Sequence, residues 1–292
     1  MNMEVSSRTA SFNNDWRFCL GDIEGAERPL FDDASWRPLD LPHDYSIEGP
    51  FDRELDAGRA CGFRPRGIGW YRKTFTLPAA CQGKRVLVLF EGAYNNADVW
   101  VNGHFLGHQY NGYLSFWHDL AEHVRPGETN VIAVRCDNSA YSSRWYTGSG
   151  LYRHVWLYTV DPLHVPIWGV AVTTPSVSAA VATVEVTTRV RNASGSSADI
   201  RVRTELVDQD GLVIATDEAP ASVKADGEVT ITQAMDVRQP RLWSPASPAL
   251  YEVVSTVLTS QGNGDSVRTT FGIRKIELTP ERGLVLNGEK LF

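Results

Sequence analysis

The sequence predicts an all-β protein of two successive β-sandwiches, a jelly roll followed by an immunoglobulin-like domain. Three observations carry this expectation. Helical periodicity is nearly absent, and short β-branched and aromatic runs recur instead between turn residues. The texture of the chain changes once, near residues 160–166, where Pro162 and Pro166 flank a short connector. And 292 residues suffice for two domains that each bury most of their apolar surface.

The first domain is expected over residues 1–162. Its clearest strands are the runs 84–90, 97–101, 130–136 and 154–160, rich in Val, Leu and aromatics. Asn102-Gly103 between Val101 and His104 signals a two-residue hairpin, because both central positions of a type I′ turn need positive φ. Residues 119–124 have the pattern of one helical turn, closed by Pro126-Gly127. Short strands with frequent turns fit a sandwich or jelly roll better than alternating strands and helices. The second domain, expected over 163–276, is poorer in Trp and His and richer in Val, Thr, Ala and Ser. Val184, Val186 and Val190 alternate with polar positions, as do Ile200, Val202 and Leu206. That is the period of a sheet with one buried face. With further runs at 228–232, 251–258 and 266–271 this makes about seven short strands in about 110 residues, the immunoglobulin-like pattern. No Cys follows Cys136, so the inter-sheet disulfide of antibody domains is not expected.

The final stretch reads as a strand from Gly283, an Asn287-Gly288 turn and an apolar run just beginning at Leu291. The run looks like the first arm of an incomplete hairpin, so residues 283–292 are expected to be loosely held and the chemistry to lie beyond them.

Composition narrows the function. The net charge of −7, with no Lys/Arg run, excludes a nucleic-acid partner, which requires a basic footprint. No apolar run approaches the roughly 18 residues that span a bilayer, so no membrane partner is expected. The N-terminus lacks the apolar core of a signal peptide. The expected location is the cytoplasm, or the periplasm or exterior if a signal has been trimmed. Cys19, Cys61, Cys81 and Cys136 lack metal-ligand spacing and read as free thiols. His104 and His108 have i,i+4 spacing, but the Gly-flanked segment between them is a hairpin. No metal and no cofactor are expected.

Six ordered strings go beyond fold class: Leu41-Pro42-His43-Asp44-Tyr45; Gly67 to Lys73, GIGWYRK; Val99 to Gly107, VWVNGHFLG, with Gly112 to Phe116, GYLSF; Ser143 to Arg153, SRWYTGSGLYR; Leu242-Trp243-Ser244-Pro245 with Leu250-Tyr251; and Phe271 to Ile276, FGIRKI. Together they resemble the N-terminal half of family 2 glycoside hydrolases, and among those the β-galactosidase-like members. The resemblance implies a jelly-roll sugar-binding domain, an immunoglobulin-like domain and then a (β/α)8 catalytic barrel, with residues 277–292 as its lead-in. Both catalytic glutamates of such retaining enzymes lie on barrel strands downstream. A pair of carboxylates about 5–5.5 Å apart performs that chemistry, and nothing marks two of Glu48, Glu54, Glu91 and Glu122 as such a pair. No catalytic residue is therefore expected in this chain. The resemblance implies as partners a β-galactoside or related carbohydrate and the catalytic barrel of the same polypeptide, and leaves open a homo-oligomer of the longer protein. β-Glucuronidase and β-mannosidase activities, and a free-standing carbohydrate-binding module, are the alternative readings.

Sugars are recognised by paired hydrogen bonds to hydroxyls and by aromatic faces over C–H patches. Two segments concentrate such groups in loops: Ser143-Arg144-Trp145-Tyr146, and His43-Asp44-Tyr45 with the Gly/Arg/Asp-rich connection 52–69. In the family, loops of the first domain reach the barrel mouth, so Asp44, Arg144 and Trp145 are expected to bind substrate. Structural roles stand beside each. Trp145 and Tyr146 would pack the sandwich or its interface with the barrel, Arg144 would pair with Asp137, and His43-Asp44 would stabilise a turn after Pro42. Trp70, Trp100, Trp117 and Trp156, in strand-like strings, are expected to pack in the core or on a sheet. Arg144 stands five residues before Ser149-Gly150, where the large enterobacterial-type enzymes carry a sodium-binding Asp. No sodium site of that kind is implied.

Overall fold

Strands form where apolar side chains alternate with polar ones or run unbroken, and almost the whole chain does one or the other. The computed structural model describes residues 8–55, 58–140 and 148–291. It divides into two units, Met1–Val160 and Asp161–Phe292. Both are β-sandwiches, as the sequence predicts. Among the described residues no helix is long and apolar enough to cross a membrane.

The first unit contains β1 (Thr9–Ser11), β2 (Trp16–Leu20), β3 (Arg37–Leu39), α1 (Tyr45–Glu48), β4 (Gly67–Thr76), β5 (Arg85–Phe90), β6 (Ala97–Val101), β7 (His104–Gln109), β8 (Phe116–Asp119), β9 (Thr129–Asn138) and β10 (Val155–Val160). A six-stranded sheet runs β3-β2-β4-β9-β6-β7 and a four-stranded sheet β1-β10-β5-β8. Trp16, Tyr71, Val99 and Ile132 of the first meet Phe90 and Leu157 of the second in one core. On β6, Ala97, Val99 and Val101 point inward and Asp98 and Trp100 outward, the two-residue period expected of a strand. Asn102 and Gly103, at φ of 49° and 81°, make the turn into β7.

The unbroken burial of β4 from Trp70 to Lys73 has a separate cause. Its outer face is covered as well: Trp70 packs with Ala26, Trp36 and Ala133 in a second cluster, its ring stacked 5.3 Å from Trp100. Arg72, 1% exposed, donates to Asp33 Oδ2 at 2.8 Å and to the carbonyls of Ala26 and Arg28. Phe116 faces the core and stacks on Phe90, so strand alternation turns Trp117 outward, where it is 42% exposed. Cys81 and Cys136 are buried free thiols, and Cys19 is partly buried.

Pairing register brings four connections to one end of this sandwich. Gly67 of β4 lies opposite Asn138 of β9, and Ala97 of β6 opposite both Cys136 and Gln109. In the other sheet Phe90 of β5 lies opposite Val155 and Phe116. The described residues of the segments 40–66, 91–96, 110–115 and 139–154 therefore open together.

The second unit contains β11 (Leu163–His164), β12 (Val170–Val177), β13 (Val181–Asn192), β14 (Ala198–Val207), β15 (Val213–Val223), β16 (Glu228–Arg238), β17 (Tyr251–Thr259), β18 (Gly262–Phe271), β19 (Ile276–Thr279), β20 (Gly283–Leu286) and β21 (Glu289–Lys290). β13 pairs with β11, β12 and β16, and a second sheet runs β15-β14-β17-β18. Valines of β13 and β14 fill the space between the sheets. Two buried polar pairs cross it: Thr188 Oγ1 to Ser255 Oγ at 3.1 Å, and Thr204 Oγ1 donating to Gln233 Oε1 at 2.7 Å. Trp243 and the string 271–276 come together, since Trp243 N donates to Ile273 O at 2.8 Å and the Arg274 guanidinium lies 4.7 Å over the Trp243 ring.

The tail corrects the expectation of an unpaired hairpin arm. β19, β20 and β21 form a three-stranded meander. Val285 is fully buried, and Asn287 bridges Lys275 N and Trp243 O through its side chain. The partner the sequence reading lacked is the upstream strand β19.

Candidate functional site

At the loop end of the first unit, a polar network ties three sequence-distant segments together. Asp44 caps α1: its Oδ1 accepts from Ser46 N at 2.9 Å and Ile47 N at 3.3 Å. The same oxygen accepts from Ser149 N at 2.9 Å, more than a hundred residues away. Ser149 Oγ meets Ser46 Oγ at 2.6 Å and accepts from Asn138 Nδ2 at 2.7 Å. Asn138 also donates to Gly148 O at 3.2 Å, so one side chain joins the end of β9 to residue 148. Asp44, Ser46, Asn138 and Ser149 are all buried. Burial at such positions is affordable because each polar group is paired.

Behind this row stands His43. Its Nδ1 is 2.8 Å from Tyr71 OH, while Nε2 is 2.5 Å from Arg37 Nη2 and 3.2 Å from Glu48 Oε2. A guanidinium only donates, so the shorter contact makes Nε2 an acceptor and places the proton on Nδ1. Burial holds the His43 pKa below its ordinary value, against the pull of Glu48, and keeps the ring neutral. Glu48 is pushed upward by burial, but the bond it accepts from Arg37 leads the opposing effects, which hold it below the usual range. Gly150 follows at φ 102°, where a Cβ would lie 2.0 Å from Tyr71 OH. A side chain there would break the site, which is the reason for glycine. Its backbone exchanges hydrogen bonds with Tyr94 at 2.6 and 2.9 Å.

Asp44 lies buried at this loop end, where it joins α1 to the segment 148–150 through the bond from Ser149 N. Arg144 and Trp145 lie outside the described residues. Asp137, the structural partner considered for Arg144, is engaged by Ser139 and by Arg135 at 3.3 Å. Ser46 and Asn138 belong to none of the quoted strings, and Tyr71 lies in the string Gly67 to Lys73 without having been singled out as a site residue; the signal available was a buried-type polar residue inside an apolar strand, as with Asn138 at the end of 129–138. Among the described residues no group of His, Cys, Asp and Glu is placed to hold a metal ion. Asp22, Glu48 and Asp137 each titrate below their ordinary values: Asp22 because it accepts from Arg135, and Asp137 because bonds from Ser139 and Arg135 outweigh burial. A general acid requires the opposite displacement. The described groups bond one another and fix the loops of this end in place.

Residues 60–161 match the profile of the sugar-binding domain of glycosyl hydrolases family 2, and residues 165–274 match the family's profile of the following domain. The chain is similar to a β-galactosidase of Bacteroides ovatus, 42% identical over 288 residues that cover 98% of this chain and 34% of that protein. It is similar to a β-glucuronidase of Formosa agariphila, 31% identical over 97% of this chain and 31% of that one. A solved family 2 structure from Bacteroides cellulosilyticus superposes with a TM-score of 0.93 at 38% identity, over 97% of this chain and 37% of its counterpart. The chain spans about a third of the length of these relatives.

Proposed function

This chain belongs to glycosyl hydrolase family 2, and on that premise we propose that it supplies the sugar-side loops and scaffold of a retaining glycosidase acting on terminal β-linked galactose or glucuronic acid. The observation that carries the proposal is the match of the sugar-binding profile to residues 60–161, the region that holds the Asn138–Ser149 network. Asp44, Arg144 and Trp145 make contacts to the sugar in this reading. Cleavage belongs to a carboxylate pair outside residues 1–292, since the covalent step needs one raised and one ionised carboxylate a few ångströms apart.

The test compares the 292-residue chain with a polypeptide that also carries a family 2 catalytic barrel, on aryl β-galactoside and aryl β-glucuronide. Turnover is expected only from the longer polypeptide, and the preferred glycoside identifies the sugar. Hydrolysis by residues 1–292 above a matched blank, abolished by a substitution within them, defeats the proposal.

A further inference from the structure

We infer that Tyr113 is a further sugar-binding residue, an aromatic platform on the rim of the same loop cluster; this rests on the carbohydrate-binding role proposed above. The string 112–116 is a motif that the site has not yet absorbed. It lies in the connection between β7 and β8, one of the four that open at the loop end. Tyr113 is 51% exposed, with Tyr110 and Leu114 also exposed beside it. An exposed tyrosine at a loop tip is unremarkable when the tip is free to move. This tip is built to be still.

Five contacts hold it. Tyr113 N donates to Asn111 Oδ1 at 2.8 Å, an Asx turn, and Gln109 Nε2 donates to Asn111 O at 3.1 Å. Tyr152 OH donates to Gly112 O at 2.9 Å. Gly112 lies so close to Tyr94 that a Cβ would stand 2.4 Å from its Cδ2, so the close approach excludes every residue but glycine. The Tyr113 ring meets the Tyr94 ring edge-on, centroids 5.5 Å apart. Tyr94 in turn is bonded through its backbone to Gly150, the neighbour of Ser149 and so of Asp44. The platform and the Asp44 network therefore share one rigid support.

A sugar ring offers C–H patches that cover an aromatic face and hydroxyls that bond a phenol, and a Tyr loses little entropy on binding because it has two rotors. Fixing the ring beforehand removes most of the ordering cost. The chemistry that fits is a pyranose seated against the Tyr113 face while its hydroxyls reach the polar loops.

The experiment is saturation-transfer NMR on the 292-residue chain, with methyl β-galactopyranoside and methyl β-glucuronide as probes. Tyr113→Ala is expected to weaken the better-bound sugar about three- to tenfold, and Tyr113→Phe to stay within about twofold, because the face is retained. Equal affinity in wild type and Tyr113→Ala overturns the inference, as does the absence of transfer to either sugar from the wild-type chain. If Tyr113→Ala lowers the melting temperature, Asn111→Ala decides, since it keeps the ring and frees its turn. Weaker binding at an unchanged melting temperature then supports the platform, and unchanged binding overturns it. Hydrolysis by the barrel-containing polypeptide reads out the other question: loss of that activity defeats the proposed function, whereas sugar binding insensitive to position 113 defeats this inference alone.

Discussion

Asp44 carries two structural tasks on one oxygen, and its substitution separates them from ligand binding. Removing the carboxylate in Asp44→Ala abolishes the cap of α1, a loss of about 1 kcal/mol. It also strands the buried Ser149 N–H, which costs about 1–3 kcal/mol more. Asp44→Asn keeps an acceptor oxygen at the same reach and is expected to retain most of that stability. If Asp44 also contacts the sugar, Asn preserves the fold while weakening ligand binding. Thermal melts beside sugar titration of the two variants make the comparison. An alanine variant as stable as wild type would show that the three hydrogen bonds do not matter.

At the scale of elements, the second unit holds its sheets together with hydroxyl and amide pairs where antibody domains use a disulfide. Thr204 on β14 and Gln233 on β16 belong to opposite sheets and are both buried. Gln233→Leu leaves the Thr204 hydroxyl without its acceptor and is expected to cost about 1–3 kcal/mol. The double substitution Gln233→Leu with Thr204→Val removes both polar groups and should recover much of that loss. Denaturant melts of the two singles and the double measure the coupling, and strict additivity would contradict it. These strands were legible in the sequence because their faces alternate, and the Asn102-Gly103 hairpin because its turn demands positive φ. What was not legible has a physical reason in each case. Trp117 reads as a packing residue until the pairing of β8 shows which face it takes. The outer covering of β4 by residues 21–36 depends on Arg72 reaching Asp33 and carbonyls about 45 positions away in sequence. The tail's partner β19 precedes it by only a short turn, and its four residues are too short a run to announce a strand. In the site, His43-Asp44 and the segment before Ser149 were both marked from composition. Their junction through Asn138 and the Ser46–Ser149 hydroxyl pair spans more than a hundred residues and leaves no local pattern.

At the scale of the whole molecule, His43 and His118 are described residues whose titration the fold displaces near neutral pH, and both lie in the first unit. Each is lowered, with burial as the leading cause, and His118 Nε2 is buried without a partner. An unfolded histidine titrates near about 6.5, so below that value the unfolded chain binds protons that the folded chain refuses. Stability from these two groups is fully present above about pH 6.5 and falls as the pH drops through the unfolded value toward the lowered folded one. Asp22, Glu48 and Asp137 act in a separate, more acidic window, because their folded values lie below ordinary carboxylate values of 3.8 to 4.5. Their contribution is present above those values and is lost as the pH falls further. The first unit is therefore expected to lose stability between about pH 7 and pH 5 while its carboxylates remain ionised. Chemical denaturation at pH 7.5, 6.0 and 5.0 measures this, followed by tryptophan fluorescence, to which Trp16, Trp36 and Trp70 of this unit contribute. The double variant His43→Gln with His118→Gln lowers stability at neutral pH, since the His43 bonds to Tyr71 and Arg37 are disturbed. Its stability should nevertheless change much less between pH 7.5 and 5.0 than that of the wild type. The same slope in both proteins would mean that neither histidine resists protonation in the folded state, and the neutral, Nδ1-protonated assignment of His43 would fall with it.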